Sequence, residues 1–177
     1  MQDAIKIVNY LQQFMKSIKL HVIGDIDNIT KNYISGLDVS NTIFHGCIKS
    51  ECLPEFYSSC DVGLSPSIFD PCPNSVVEMI ACGLPVITTK DSGAAELVKN
   101  NDLIIKEDLK LSYMELQTID RLPKVNVSKW SNCIENVLQN KQNYVGAMLQ
   151  RVAEDLDISV VAKRYANFIL EQNNASR

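Results

Sequence analysis

The sequence lacks the features that mark membrane proteins, secreted proteins and nucleic-acid binders. No apolar run approaches the roughly 18 residues of a membrane-spanning helix, and no basic segment precedes an apolar one at the start of the chain. The 17 Lys and Arg are outnumbered by 21 Asp and Glu, and the resulting net charge of −4 disfavours nucleic acid as a ligand. We therefore expect a cytoplasmic protein with no transmembrane segment and no nucleic-acid partner.

Paired metal ligands are also missing. The six cysteines form no Cys-x-x-Cys pair, and the two histidines fall at unrelated spacings. Because a zinc site needs such pairs, we expect no metal and no cofactor. A disulfide framework is not expected in a chain of this length without a secretory signal. The cysteines are therefore predicted to be small buried thiols in a reducing compartment.

What the sequence does contain is a regular alternation of helical patterns and short β-branched runs. Its 177 residues, 46% of them hydrophobic, suit a single domain spanning residues 1–177. The alternation predicts an α/β fold, a Rossmann-like doubly wound parallel sheet with helices on both faces and a helical C-terminal segment. Strands are predicted at 20–23, 42–44, 61–65, 86–88 and 103–105, and helices at 3–18, 28–37, 51–60, 75–82, 93–99, 128–139, 142–154 and 158–171. Doubly wound domains normally open with a strand, and this sequence opens with a helix, so we expect the first strand of the domain to be missing here.

The segment after the third predicted strand carries the candidate chemistry. Pro71 and Pro73 keep its loop out of helical geometry, and a helix begins near Ser75. Open α/β sheets bind ligands at the carboxyl ends of their strands, and a helix N-terminus offers unpaired N–H groups to a phosphate. Asp70 and Glu78 flank that position, where their carboxylates can accept hydrogen bonds from sugar hydroxyls.

The same residues also allow a purely structural interpretation. Residues 75–78 form a capping box, in which Ser75 caps the helix and Glu78 reaches back to the Ser75 N–H. Asp70-Pro71 is then a simple turn. Spacing alone does not separate this interpretation from a binding site.

A family resemblance comes from residues 69–88, FDPCPNSVVEMIACGLPVIT, which resemble the signature of the donor-binding domain of glycosyltransferase family 4. The family has an acidic residue, seven intervening residues, a Glu and then Ala-x-Gly-x-Pro-Val, and Asp70, Glu78 and residues 81–86 match this pattern. Four flanking segments are similar to the family in the same order: residues 21–24, 43–46, 53–62 and 92–98.

The resemblance implies a role for each matching residue. Asp70 would contact hydroxyls of the donor sugar, and Glu78 would contact the ribose of its nucleotide. The remaining donor-binding residues would be the backbone N–H groups of Asn74, Ser75 and Val76 at the diphosphate, Gly46 and Ile48 beside the base, and Ser92 and Gly93 beside the sugar or phosphate. Family members transfer a sugar from a nucleoside-diphosphate sugar with retention of configuration and usually without a protein-bound metal. They place two Rossmann-like domains across a cleft, the GT-B fold.

Three departures from the family pattern matter. Asp70 replaces the usual Glu, and Ser92 stands where a second Gly is common. The Arg and Lys that neutralise the diphosphate would precede the first helix, and they are absent together with their strand and the N-terminal acceptor domain. We therefore expect the C-terminal donor-binding part of a longer enzyme, or a cut-down gene product.

The predicted function is that of a hexosyltransferase-type domain in polysaccharide biosynthesis, inactive by itself. Its partners would be a UDP- or GDP-sugar, a glycan or lipid-linked acceptor and the missing N-terminal domain, through which the protein could be peripheral to a membrane. The rival hypothesis is a non-catalytic nucleotide-sugar binding or assembly module that kept the fold. A nucleotide-sugar epimerase fits the residues from Asp70 to Val86 less well.

Overall fold

The computed structural model describes residues 1–68, 70–107 and 125–175, where short parallel strands alternate with helices. The strands are β1 (Leu20–Val22), β2 (Thr42–Phe44), β3 (Gly63–Ser65), β4 (Val86–Thr89) and β5 (Ile104–Ile105). The α-helices are α1 (Gln2–Leu11), α2 (Asn28–Ile34), α3 (Leu53–Ser59), α4 (Asn74–Ala81), α5 (Ala94–Val98), α6 (Val127–Gln139), α7 (Lys141–Arg151) and α8 (Ile158–Ala175). This architecture confirms the predicted α/β fold class.

The strands form two separate parallel sheets. β1 pairs with β2, and β4 lies between β3 and β5. Among the described residues no strand ladder joins β1 to β3. In a doubly wound sheet the first strand lies between the second and the fourth. Without that strand, such a sheet separates into the observed two-stranded sheet and three-stranded sheet. This chain is therefore part of one Rossmann-like domain.

Helix α1 connects the two hydrophobic clusters formed by the described residues. Ile7 and Leu11 belong to the larger cluster, which also contains the fully buried Trp130. The smaller cluster consists of Ala4, Ile5, Val8, Leu20 and Ile34. The broad apolar face of α1 is thus explained by its contact with both clusters.

The first helix is shorter than predicted. Its apolar pattern indicates a helix over residues 3–18, but α1 ends at Leu11 and the chain continues in turns. Met15 and Ile18 still pack against the larger cluster, so the apolar spacing continues where the helix does not. The chain must reverse direction before it enters β1 at Leu20, and a helix reaching residue 18 would leave no room for that reversal.

The prediction of buried thiols is wrong. Three cysteines are exposed and three are partly buried, and all six are free: Cys47, Cys52, Cys60, Cys72, Cys82 and Cys133. Several lie at helix ends, where Cys52 precedes α3 and Cys60 and Cys82 follow α3 and α4. Helix ends lie at the edge of the core, which explains the exposure.

The C-terminal helices α6 and α8 differ in how far they are buried. Trp130 anchors α6 in the core, and its Nε1–H donates to Glu107 Oε1 at 3.1 Å. The apolar side chains of α8 are not packed, since Ile158 is 79% exposed and Tyr165 is 68% exposed. Within the described ranges, no helix is long and apolar enough to cross a membrane.

Candidate functional site

The loops that follow β3 and β4 are joined by backbone contacts. The Gly93 N–H donates to the carbonyl oxygen of Asp70 at 2.9 Å, and the Ser92 hydroxyl donates to the same oxygen at 3.3 Å. A Cβ atom added at Gly93 would overlap the carbonyl oxygen of Pro71. The structure therefore brings together the predicted Asp70, Ser92 and Gly93, and the approach requires a glycine.

Two buried threonines fix the start of the Asp70 loop to the neighbouring strand. The Thr88 hydroxyl donates to the Ser65 carbonyl at 3.1 Å, and the Thr89 hydroxyl donates to the Ser67 carbonyl at 2.5 Å. Both side chains are almost fully buried, so water does not compete with these bonds. β4 thereby positions both loops at the carboxyl edge of the sheet.

Asp70 is half-buried and forms the turn that the structural interpretation predicted. Its Oδ1 accepts a hydrogen bond from the Cys72 N–H at 3.2 Å. This bond sets the orientation of the carboxyl group within its own loop. A turn and a ligand contact are compatible here, because a carboxylate has two oxygens.

The predicted capping box is not formed. α4 begins at Asn74 with Pro73 as its N-cap, and no side chain caps it. Ser75 is one residue inside the helix, so it is not in the capping position. Asn74 and Ser75 are exposed, whereas Val76 is buried and its N–H donates to the Pro73 carbonyl at 3.0 Å. Of the three amides predicted to face a diphosphate, those of Asn74 and Ser75 are not bonded to any described residue.

Glu78 is held by a residue that the sequence did not single out. The Tyr57 hydroxyl, on α3, donates to Glu78 Oε2 at 3.1 Å. Burial, followed by the hydrogen bond and charge of Glu78, raises the pKa of Tyr57 to about 12. Residues 53–62 carried the family resemblance, but no local pattern links Tyr57 to a glutamate 21 positions away.

The predicted base-binding loop lies at the end of β2. Gly46 has a φ of +64°, a left-handed conformation that favours glycine, and its carbonyl accepts from the Gly24 N–H at 2.8 Å. Ile48 lines an open groove of about 380 Å³ together with Cys52, Glu55, Phe56 and Ser59. α3 therefore borders this groove with Phe56 and contacts Glu78 with Tyr57.

The described residues contain no cluster of three or more His, Cys, Asp or Glu side chains that could hold a metal ion. Asp70 and Glu78 also form no ion pair with a described Lys or Arg. The candidate site thus consists of two carboxylates, one helix N-terminus and two interlocked loops.

Solved structures share this arrangement of parallel strands and helices. Sucrose-phosphate synthase from Thermosynechococcus elongatus has a TM-score of 0.66 at 19% identity, covering 98% of this chain and 43% of that one. WaaG, a glycosyltransferase involved in lipopolysaccharide biosynthesis, has a TM-score of 0.66 at 18% identity, covering 94% and 42%. HepE from Anabaena, solved with UDP-glucose, has a TM-score of 0.66 at 18% identity, covering 96% and 46%.

These likenesses show the fold alone, that of part of a GT-B glycosyltransferase, and the chain spans less than half the length of each of these structures. A family model described as glycosyl transferases group 1 matches residues 1–115, more than half of the sequence. The chain belongs to this family. No curated protein matches the sequence directly.

Proposed function

We propose that the chain is the donor-binding domain of a retaining family 4 glycosyltransferase, the C-terminal half of a two-domain enzyme. The observation that carries the proposal is the interlocking of the Asp70 loop with the Ser92–Gly93 turn at the carboxyl ends of β3 and β4. Open α/β sheets bind their ligands at this edge. The UDP-glucose bound to HepE supports a nucleoside-diphosphate sugar as the ligand class.

Each part of a nucleoside-diphosphate sugar has a matching group in the site. Glu78 would accept hydrogen bonds from the ribose hydroxyls, and Asp70 would accept them from the sugar. The amides of Asn74 and Ser75 would donate to the diphosphate, where the positive end of the α4 dipole also lies. The groove at Ile48 would receive uracil or guanine. A glycan or lipid-linked acceptor would be bound by the N-terminal domain, outside this chain.

Catalysis in such a site depends on positioning. The protein would hold the donor sugar in a reactive orientation and stabilise the charge that develops on the departing diphosphate. Asn74 and Ser75 supply part of that stabilisation, and in the family an Arg and a Lys upstream of α1 supply the rest. We therefore expect this chain by itself to bind the nucleotide weakly and to transfer no sugar.

A titration of the chain with UDP and with GDP tests the proposal. One of the two nucleotides should bind, and Glu78→Ala should weaken its binding about tenfold, the loss expected for hydrogen bonds to a charged group. Glu171→Ala, which removes an exposed carboxylate on α8, is the matched control and should leave the affinity unchanged.

Two results would contradict the proposal. The first is that neither UDP nor GDP binds at millimolar concentration to a chain shown to be folded. The second is an affinity that falls equally in Glu78→Ala and Glu171→Ala, because equal losses would indicate a general effect of charge and not a specific contact with Glu78.

A further inference from the structure

The Tyr57–Glu78 contact joins a buried group to an exposed one. Tyr57 on α3 is only 8% exposed, whereas Glu78 is exposed on the surface of α4. The hydrogen bond between Tyr57 Oη and Glu78 Oε2 spans 21 sequence positions and is 3.1 Å long. An exposed glutamate side chain normally samples several rotamers, so a buried partner changes its behaviour.

The direction of the hydrogen bond is set by acid–base chemistry. With its pKa raised to about 12, the Tyr57 phenol stays protonated at physiological pH and must be the donor. A phenol has a single proton, which is directed at Oε2 of Glu78. Oε1 is left to accept hydrogen bonds from another molecule.

We infer that Tyr57 is a positioning residue for the donor site: it holds Glu78 Oε2, so that Oε1 is presented to the ribose hydroxyls of the nucleotide. This inference rests on the proposed function, and it adds a residue on a different helix to the site. Glu78 is ordered before the nucleotide arrives, so less side-chain entropy is lost on binding. Tyr57 itself does not touch the ligand.

The chain offers a matched pair of tyrosines for the test. Tyr57→Phe removes the hydroxyl but keeps the buried ring. Tyr144→Phe makes the same change at another tyrosine that is 8% exposed, whose hydroxyl accepts from Asn136 Nδ2 at 2.7 Å, in the contact between α6 and α7. Any general cost of losing a buried hydroxyl should be common to both variants.

The experiment is an NMR titration of the full 177-residue chain, in which chemical shifts report both folding and millimolar affinities. The ligands are UDP and GDP and the 2′,3′-dideoxy form of each. For the nucleotide that binds, Tyr57→Phe should weaken affinity about three- to tenfold, the range for the net contribution of one ordinary hydrogen bond, because the effect reaches the ligand only through Glu78. Affinity for the dideoxy form should not change, and Tyr144→Phe should resemble the wild type with both ligands.

A double substitution completes the test. If Tyr57 acts through Glu78, then Tyr57→Phe combined with Glu78→Gln should bind no more weakly than Glu78→Gln alone. Unchanged UDP or GDP affinity in Tyr57→Phe would overturn the inference, as would an equal loss for the ribose and dideoxy forms or an additive double variant. In each of these cases the wild type still binds, so the proposed function survives. A folded wild type that binds neither UDP nor GDP would remove the proposed function and this inference together.

Discussion

At Gly93 two loops approach so closely that a hydrogen atom fits between them and a methyl group does not. The backbone of Gly93 is in an ordinary helical conformation, with φ −58° and ψ −20°. Any residue can adopt these angles, so the need for glycine comes from the neighbouring Pro71 carbonyl and not from the conformation. The contact lies directly beside Asp70, whose carbonyl accepts the Gly93 N–H.

Replacing Gly93 by Ala should therefore damage the loop and the site together. The added methyl must displace the backbone at Pro71, so we expect the free energy of unfolding to fall by about 1–3 kcal/mol, as in other overpacked sites. Nucleotide binding should be lost with it. Urea denaturation and the nucleotide titration measure the two effects.

Gly146 provides the control, since a Cβ added there in the middle of α7 has nothing within 4 Å. Gly146→Ala should raise the free energy of unfolding by about 0.5–1 kcal/mol, because alanine favours the helix. A Gly93→Ala variant with wild-type stability and affinity would show that the two loops are not in contact in solution.

The family resemblance selected Asp70, Ser92 and Gly93, and the structure places these three residues in contact. Their part in donor binding stays a prediction. Tyr57 was missed, because its role depends on a partner 21 positions away and the spacing of apolar residues does not encode such pairs. The capping box at Ser75 failed for a related reason, since Glu78 bonds to α3 rather than to its own helix.

Between elements, the clearest feature outside the site is a pair of histidines, one in the middle of β1 and one directly after β2. His21 Nδ1 and His45 Nε2 are 2.9 Å apart, the ring planes differ by 11°, and the ring centroids are 5.1 Å apart. With the two nitrogens 2.9 Å apart, a centroid distance of 5.1 Å is close to the longest that an in-line N–H···N bond allows. The two rings therefore meet edge to edge. Phe56 of α3 lies against both rings.

The histidine pair predicts a pH dependence of stability. Desolvation, followed by the charge of His45, lowers the pKa of His21, so the unfolded chain binds the proton more readily. Neutral His21 therefore makes its full contribution to stability above its unfolded-state pKa of about 6.5. This contribution is lost as the pH falls through the lower pKa of His21 in the folded chain. We expect a smaller free energy of unfolding at about pH 5 than at about pH 7.

His21→Gln should flatten this difference, which urea denaturation at the two pH values would measure. Hydrogen bonds within their own turns lower the pKa values of Asp27, Asp38 and Asp157, so these carboxyl groups titrate below this window. Because the sequence has two histidines, imidazole NMR signals identify the group directly. A His21 that titrates at or above 6.5 in the folded chain would contradict the prediction.

Element positions were predicted best for the strands. Short β-branched runs bounded by Gly or Asp placed all five within two residues of the structure at either end. The first helix was overestimated, because Met15 and Ile18 continue the apolar spacing through turns. Periodicity reports which residues face the core, and it does not report whether the backbone between them is helical.

Across the whole molecule, α1 and α8 represent opposite kinds of packing. α1 joins both hydrophobic clusters and buries Leu11 completely. α8 buries little and is attached near its start, where Arg164 donates to Asp155 Oδ1 at 2.6 Å and to the Glu154 carbonyl at 2.9 Å. No described ladder connects the two sheets, and α1 contributes to their association together with Ile18 and Leu64, which also pack against both clusters.

The same substitution in the two helices should have very different effects. Leu11→Ala removes a side chain that is 0% exposed and leaves a cavity where α1 packs into the larger cluster, so we expect a loss of about 2–5 kcal/mol in the free energy of unfolding. Leu170→Ala removes one that is 61% exposed on α8 and should change stability by less than about 0.5 kcal/mol. Urea denaturation of both variants measures the contrast. Equal losses would mean that α8 packs its apolar face in solution, whereas a small loss for Leu11→Ala would mean that α1 does not hold the two sheets together.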